Sequence, residues 1–458
     1  MASKALPDLT VGASTTSGIQ SAKPRTECPL ENHSSHVLTH GTFWCWGKKT
    51  DELIYSAIFA SKEEVKKKAR QQIYRISSGL KIFPASVHNL YQAFGKGKIS
   101  GFTVPAINIR TLTYDIARII FKIAIEKKIG PIIFEIARSE VKYTEQRPEE
   151  YTVALLAAAI AEGYKGPVFI QGDHYQFKTS VYLKTPEAEI KKIKDLIKES
   201  IQAGFYNIDI DASTLVDLNQ PKLNDQQKEN YQMTALITKY IREIEPKNIT
   251  VSVGGEIGHI GGKNSTVTEF EAFMKGYLKL IQNKKIQGIS KVSVQTGTSH
   301  GGIPLPDGTI ADVKLDFNVL KDISKVARKK YHLGGPVQHG ASTLPNELFD
   351  RFPETGTLEI HLATGFQNIV YDYMPKKLKE EMYCWIKTNL KDEWKEGATE
   401  EQFIYKIRKK ALGQFKKQLW SLSEKEKKPI LKNLEKQFLF LFEKLNVFNT
   451  KKITDPYV

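Results

Sequence analysis

The chain has 458 residues, 41% of them hydrophobic and 26% charged, with a formal net charge of +16. That length holds an α/β barrel of about 250 residues plus an extension. Three cysteines exclude a disulfide framework and suit a reducing, cytoplasmic setting. No apolar run reaches the roughly 18 residues that a membrane helix requires. The basic excess is spread over Lys-rich helical segments, with no zinc-finger or RNA-recognition signature. It reads as a solvated surface rather than a nucleic-acid face, and its field favours phosphorylated substrates.

Residues 1–50 are rich in Ser, Thr, Gly and Pro without helical or strand period, and read as a disordered leader. Cys28, His33, His36, His40 and Cys45 match no standard zinc spacing. A helix is expected from Ser61, with Ser61 as N-cap and Glu63 and Glu64 in its first turn. A second, from Val87 to Phe94, is expected to end at Gly95 as a C-cap. Eight β-rich runs follow: Thr103–Ile109, Ile132–Ala137, Val168–Gly172, Ile208–Ala212, Thr250–Val253, Val292–Val294, Val337–Gln338 and Leu358–Leu362. Amphipathic helices such as Ile116–Ile125 and Ala188–Ile201 separate most of them. The alternation predicts a (β/α)8 TIM barrel over residues 51–374 with its N-terminal helices. No GxGxxG turn follows the first strand, which disfavours a dinucleotide-binding sheet. Residues 375–458 read as an α-helical extension whose Lys excess is a solvated face.

A barrel places its active site at the C-terminal ends of its strands. Those ends carry Asn108, then Glu135, then Asp173 and His174, then Asp211 and Ser213, then Glu256 and His259, then His300, His339, and finally His361 with Thr364. Five of the ten histidines fall there. His174, His300 and His339, with carboxylates alongside, suit a catalytic metal that keeps an open position. Glycines stand beside them, at Gly254–Gly255, Gly301–Gly302 and Gly340, where backbone amides can approach a ligand. Gly340, Ser342 and Thr364 lie on the loops that hold phosphate in many barrels. Asp173 and His174 are strand neighbours, so both reach one site only if the strand breaks, and Gly172 is the residue expected to permit it.

Across Val87–Asp372 these residues resemble the class II, metal-dependent fructose- and tagatose-bisphosphate aldolases. The resemblance rests on Gly172-Asp173-His174, Ile210-Asp211-Ala212-Ser213, Glu256 through Gly262, Gly297 through Gly301, Lys314 through Phe317 and Gln338 through Ser342. Phe102 through Asn108 is similar to the family's first strand. It implies that His174, His300 and His339 bind a catalytic divalent cation, usually Zn2+, with Glu256 as a further carboxylate and a monovalent cation as an additional candidate. It implies that Asp173 handles the proton of the C4 hydroxyl, and that Gly301, Gly340, Ser342 and Thr364 cradle the phosphate of the dihydroxyacetone half. The implied reaction cleaves or forms a C–C bond of a phosphorylated ketose through a metal-stabilised enediolate of dihydroxyacetone phosphate. A glycolytic or related carbohydrate-metabolic role in a homo-oligomer, dimer or tetramer, goes with it. Asn108 and His361 are expected near the substrate, with Glu135, Asp211 and Ser213 as further candidates. Lys291 opens its strand at the end away from the site, which disfavours a lysine-based Schiff-base aldolase.

The chain departs from the family pattern at four places. Lys263 and Asn264 stand where acidic residues are usual, His361 replaces an Asn, Glu135-Ile136-Ala137 replaces a Gln-x-Ser pattern, and Pro304–Asp312 is inserted before Lys314. Glu135 with Gly172-Asp173-His174 is also similar to non-catalytic accessory chains of some tagatose-bisphosphate aldolases. A different metal-dependent barrel lyase or hydrolase is the third reading.

Overall fold

The computed structural model describes residues 40–258, 263–281, 286–297 and 315–458, with side chains from 49 onward. Each of the eight expected runs is a strand, and one unexpected strand precedes them. They are β1 Ile82–Ala85, β2 Val104–Asn108, β3 Ile133–Ala137, β4 Gly166–Gln176, β5 Asn207–Asp211, β6 Ser252–Glu256, β7 Lys291–Val294, β8 Pro336–Gln338 and β9 Glu359–Leu362. Strands β2 to β9 pair in parallel, each with the next. Val104 opposite Glu359 joins β2 to β9 and closes the ring. The protein is a closed eight-stranded parallel barrel with flanking helices. Its outward Ile and Val side chains are buried because helices cover that face.

The unexpected strand, β1, runs beside the first half of β4, with Ile82 opposite Gly166. Its sequence, Ile-Phe-Pro-Ala, hid it. Pro84 cannot donate to a ladder and fits only a strand with one open side.

Helices Thr113–Glu126 and Pro186–Gln202 stand where amphipathic periodicity placed them. Three local expectations are corrected. The helix Glu63–Gly79 is entered through Lys62, without a side-chain cap, so Ser61 does not cap it. Gly95 is the last residue of helix His88–Gly95 rather than its cap, and a Cβ there would lie 2.1 Å from the carbonyl oxygen of His332. It is glycine because two backbones touch. Finally, helix His40–Phe59 begins inside the stretch read as a disordered leader. Residues 1–39, with Cys28, His33 and His36, lie outside the described residues.

From Lys376 onward the described structure is entirely helical. The helix Glu424–Lys444 starts at a capping box between Ser423 and Glu426 and packs on helices Thr113–Glu126 and Thr364–Tyr373. Lys427 pairs there with Asp115 at 3.2 Å. The chain then passes beneath the barrel: Thr103 N–H donates to Leu445 O, and Asn449 and Lys451 donate to the carbonyls of Lys127 and Lys128. The extension is therefore packed on the barrel itself. Among the described residues no helix is long and apolar enough to cross a membrane.

Candidate active site

The ends of the strands open into a cavity of about 1070 Å³. It is lined by Asn108, Glu135, Asp173, His174, Glu256, His339, Gly340, Ser342, His361 and Thr364, all singled out in the sequence. Asp211 and Ser213 stand behind this wall. Ser213 donates through its hydroxyl, at 2.7 Å, and its backbone N–H to Asp211 Oδ1, leaving Oδ2 to face His174. Asn108 donates to Glu140 at 2.6 Å. His300, Gly301 and His259 lie outside the described residues, as do Pro304–Asp312.

The break in β4 falls at Asp173 and His174 as expected, but His174 rather than Gly172 takes the unusual backbone conformation. The register against β5 slips between Gly172 and Tyr175, and His174 itself takes a left-handed φ of 42°. Such a bulge re-aims a side chain. It turns His174 toward the cavity beside Asp173, and β4 then resumes through Gln176. Gly172 serves by its size: a Cβ there would lie 2.5 Å from the buried ring of Tyr175, whose hydroxyl is fixed to Ser200 Oγ at 2.6 Å.

His174 Nδ1 lies 3.2 Å from Asp211 Oδ2 and 3.3 Å from Glu256 Oε2. The His339 ring packs between those of His174 and His361, with centroids 4.2 and 4.1 Å away, and its Nε2 meets Ser293 Oγ at 3.0 Å. One ligand atom from each of Asp173, His174 and His339 falls within 4.8 Å of the others, and so does one from each of His174, Asp211 and Glu256. Two imidazoles amid ionisable carboxylates form a donor set for Zn2+ or a similar divalent cation. Asp173 Oδ1 is buried, 3.2 Å from His361 Nδ1 and 4.0 Å from His174 Nε2. The residues present fit a metal.

Electrostatics divide the carboxylates. Burial pushes Glu256 up to about 7, helped by the neighbouring Asp211 carboxylate and opposed by His174. Burial also raises Asp173, but the imidazoles of His174, His361 and His339 outweigh it and hold the group well below the usual range. Asp211 is lowered despite burial, because His174, Ser213 and Gln176 all donate to it. Asp173 is thus held as an ionised carboxylate.

A second tier of polar residues lies directly beneath, and the strand-end reading missed it. Lys291 Nζ donates to Glu359 at 2.6 Å and to Gln171 at 2.7 Å and pairs with Asp209 at 2.9 Å, all in the barrel interior. Tyr91 also hydrogen-bonds Glu359. This arrangement agrees with the expectation that Lys291 is no Schiff-base nucleophile. Its positive charge is stabilised, its pKa being raised by Asp209 and Glu359 against burial. The signal was present as alternation. Gln171 precedes Asp173, Asp209 precedes Asp211, Lys291 precedes Ser293 and Glu359 precedes His361, each by two residues and so on one strand face.

The cavity rim is basic. Arg110 pairs with Glu140 at 2.7 Å, Arg138 with Glu189, and Arg147 with Glu199. The helical extension adds Tyr405, Lys406, Lys409 and Lys410. Its lysines were read as a solvated face, yet Lys409 is half-buried, and burial with nearby Arg110 lowers its pKa. Gly340 takes a left-handed φ of 71°, and the turn Ala341–Thr343 that follows packs on helix Thr364–Tyr373, with Gly365 against the Ser342 carbonyl. Ala363 supplies no side-chain cap, so the first amides of that helix remain available to an anion.

A family model for class II fructose-bisphosphate aldolase matches residues 88–421, and the chain belongs to that family. Among solved structures, a probable tagatose 6 phosphate kinase from Sinorhizobium meliloti 1021 is similar at 13% identity and TM-score 0.52. The match covers 78% of this chain and 99% of that one. A fructose-bisphosphate aldolase from Campylobacter jejuni is similar at 16% identity and TM-score 0.48, over 80% of this chain and 96% of that one.

Proposed function

We propose that the chain is a metal-dependent aldolase that cleaves or forms a C–C bond of a phosphorylated ketose of the fructose-1,6-bisphosphate or tagatose-1,6-bisphosphate type. The observation that carries this reading is the convergence of Asp173, His174 and His339 within one cavity whose wall includes Gly340, Ser342 and Thr364 and whose rim is basic. His174 and His339, with Glu256 and Asp211 in reach, would hold the divalent cation, Zn2+ or a close relative. When bound, that cation supplies Lewis-acid stabilisation of the negative charge that develops on the ketose oxygen.

The protein's own groups do the rest. Backbone amides at Gly340 and Thr364, with the Ser342 hydroxyl, hold the phosphate of the ketone half. In cleavage Asp173 takes the proton of the hydroxyl on the carbon that becomes the aldehyde. The O–H electrons form the new C=O bond, and the C–C bond breaks with its pair left on the ketone half. In condensation Asp173 returns the proton. Asn108 and His361 line the cavity where they can meet sugar hydroxyls. A cytoplasmic setting and a homo-oligomer are part of the same proposal, the latter checked by sedimentation.

The test is turnover of each ketose bisphosphate by the purified chain, before and after a chelator. Activity that the chelator removes and Zn2+ restores supports the reading. Stable, metal-loaded protein inert on both sugars sinks it. Glu135, shared with accessory chains, favours a second reading as a non-catalytic subunit. That reading is favoured if the chain alone is inert and raises the activity of an added tagatose-bisphosphate aldolase.

A further inference from the structure

Two of the places where this chain departs from its family meet in space. Glu135 on β3 and His361 on β9 are far apart in sequence, yet His361 Nδ1 lies 3.0 Å from Glu135 Oε2 and 3.2 Å from Asp173 Oδ1. All three residues are almost fully buried, with exposures of 1% for Glu135 and 4% each for Asp173 and His361. They line the same cavity and are reached from it.

Glu135 Oε1 is buried without a hydrogen bond among the described residues, while His361 Nδ1 stands within hydrogen-bond distance of both carboxylates. Ligand atoms of the three residues lie within 4.8 Å of one another. A buried carboxylate oxygen left unpaired is costly, and a cation held among these ligand atoms would satisfy it.

The surroundings specify what kind. Glu359 Oε1 sits 2.6 Å from His361 Nε2. Lys291 and Tyr91 fix that carboxylate from below. A carboxylate on one ring nitrogen orients the ring, which is the usual support of a metal-ligating histidine. A cation at Nδ1 would take the place of the proton that this nitrogen otherwise carries toward Glu135 and Asp173. Gln171 donates to Glu135 Oε2 at 3.0 Å, steadying that side chain while Oε1 stays open. The neighbouring group of Asp209, Glu359 and His361 needs no metal, since the Lys291 ammonium already sits against both of its carboxylates.

We propose that Glu135, Asp173 and His361 form a second divalent-cation site, beside and distinct from the one around His174 and His339. Two carboxylates and one imidazole suit a borderline cation such as Mn2+ or Zn2+, with the cavity side open to water or substrate. Asp173 is shared by both groups, its Oδ1 lying 4.0 Å from His174 Nε2. Second-cation binding and the proton step therefore compete for one carboxylate. The site stands on its own residues and does not depend on the aldolase reading.

The test counts and locates metal in the full chain. Protein stripped by a chelator is titrated with Mn2+ and, separately, Zn2+. Bound metal is measured by plasma mass spectrometry, and crystals soaked in Mn2+ are mapped by anomalous scattering. Two peaks are expected, one of them in contact with Glu135, Asp173 and His361. Glu135→Gln and His361→Asn should lose that equivalent and keep the other, and Glu359→Gln should weaken it by about 10–100-fold. A map of the unmodified protein at saturating Mn2+ with no density between Glu135 and His361 overturns the proposal, whether or not the variants fold. Density there with none at His174 and His339 supports it and sinks the metal-aldolase reading instead.

Discussion

Replacing Lys291 by Met tests whether the tier beneath the cavity is held by charge. Met has nearly the length of Lys, so barrel packing is kept and the ammonium alone is removed. In the native chain that ammonium meets Glu359 at 2.6 Å and Asp209 at 2.9 Å, and all three groups are buried. Breaking a buried pair from one side typically costs about 3–5 kcal/mol, because the partner charge stays behind without compensation. Here Asp209 loses its ammonium partner while Glu359 keeps Tyr91, Gln171 and His361, so a loss within that range is expected at pH 8. Asp209 already sits at about 6, through burial opposed by Lys291. Without the lysine Asp209 rises further and Glu359 loses one of the two cations that hold it below the usual range, so protons are taken up more readily and the loss shrinks as pH falls toward 5. Glu359→Gln in the same chain should recover roughly 1–3 kcal/mol, a coupling typical of direct neighbours. Urea denaturation followed by circular dichroism, at pH 8 and pH 5.5, reads all four members of the cycle. A Lys291→Met chain within about 1 kcal/mol of the parent at pH 8 would refute the reasoning.

Three further outcomes are expected. Gly172→Ala drives a methyl group into the Tyr175 ring, costing about 1–3 kcal/mol and loosening metal at His174; unchanged melting and metal affinity would show that the ring gives way freely. Asp173→Asn should lower turnover by about 10²–10⁴-fold while the metal at His174 and His339 stays bound, and full activity on the native ketose removes Asp173 from its role. Burial, with Arg242 and Lys96, lowers His88 to about 4 from an ordinary 6.5, so the native state keeps it neutral while the unfolded chain binds a proton. Its stabilisation is complete above pH 6.5 and declines by about 3 kcal/mol as pH falls to 4; His88→Gln should flatten the urea midpoint over that window, and an unchanged slope contradicts the assignment.

The barrel was legible because each strand is a compact β-branched run bounded by helical periods, and periodicity survives in a single sequence. Polar residues at the strand ends were equally legible, since a barrel dictates where such ends point. Lys291 and Glu359 were not, because a charged residue at a strand's beginning reads as surface until the ring closes over it. The role of Gly172 was misjudged for a related reason. Sequence shows that a glycine is present, whereas the Tyr175 ring that demands it arrives through the fold. Lys409 and Lys410 looked like solvent-facing lysines because nothing local says that their helices lean over the barrel mouth.

Closure of the ring through Val104 and Glu359 has a consequence for how the molecule forms. The seam joins strands from opposite ends of the barrel, so the chain must close a very long loop before that pairing repays the entropy spent. The residues around Asp173 come from both sides of the seam: Glu135 and His174 precede most of the barrel, while His339 and His361 come last. A refolding chain therefore acquires strands and helices well before it acquires a cavity. Metal uptake during refolding should coincide with the slow closing step, and so serves as a clock for it.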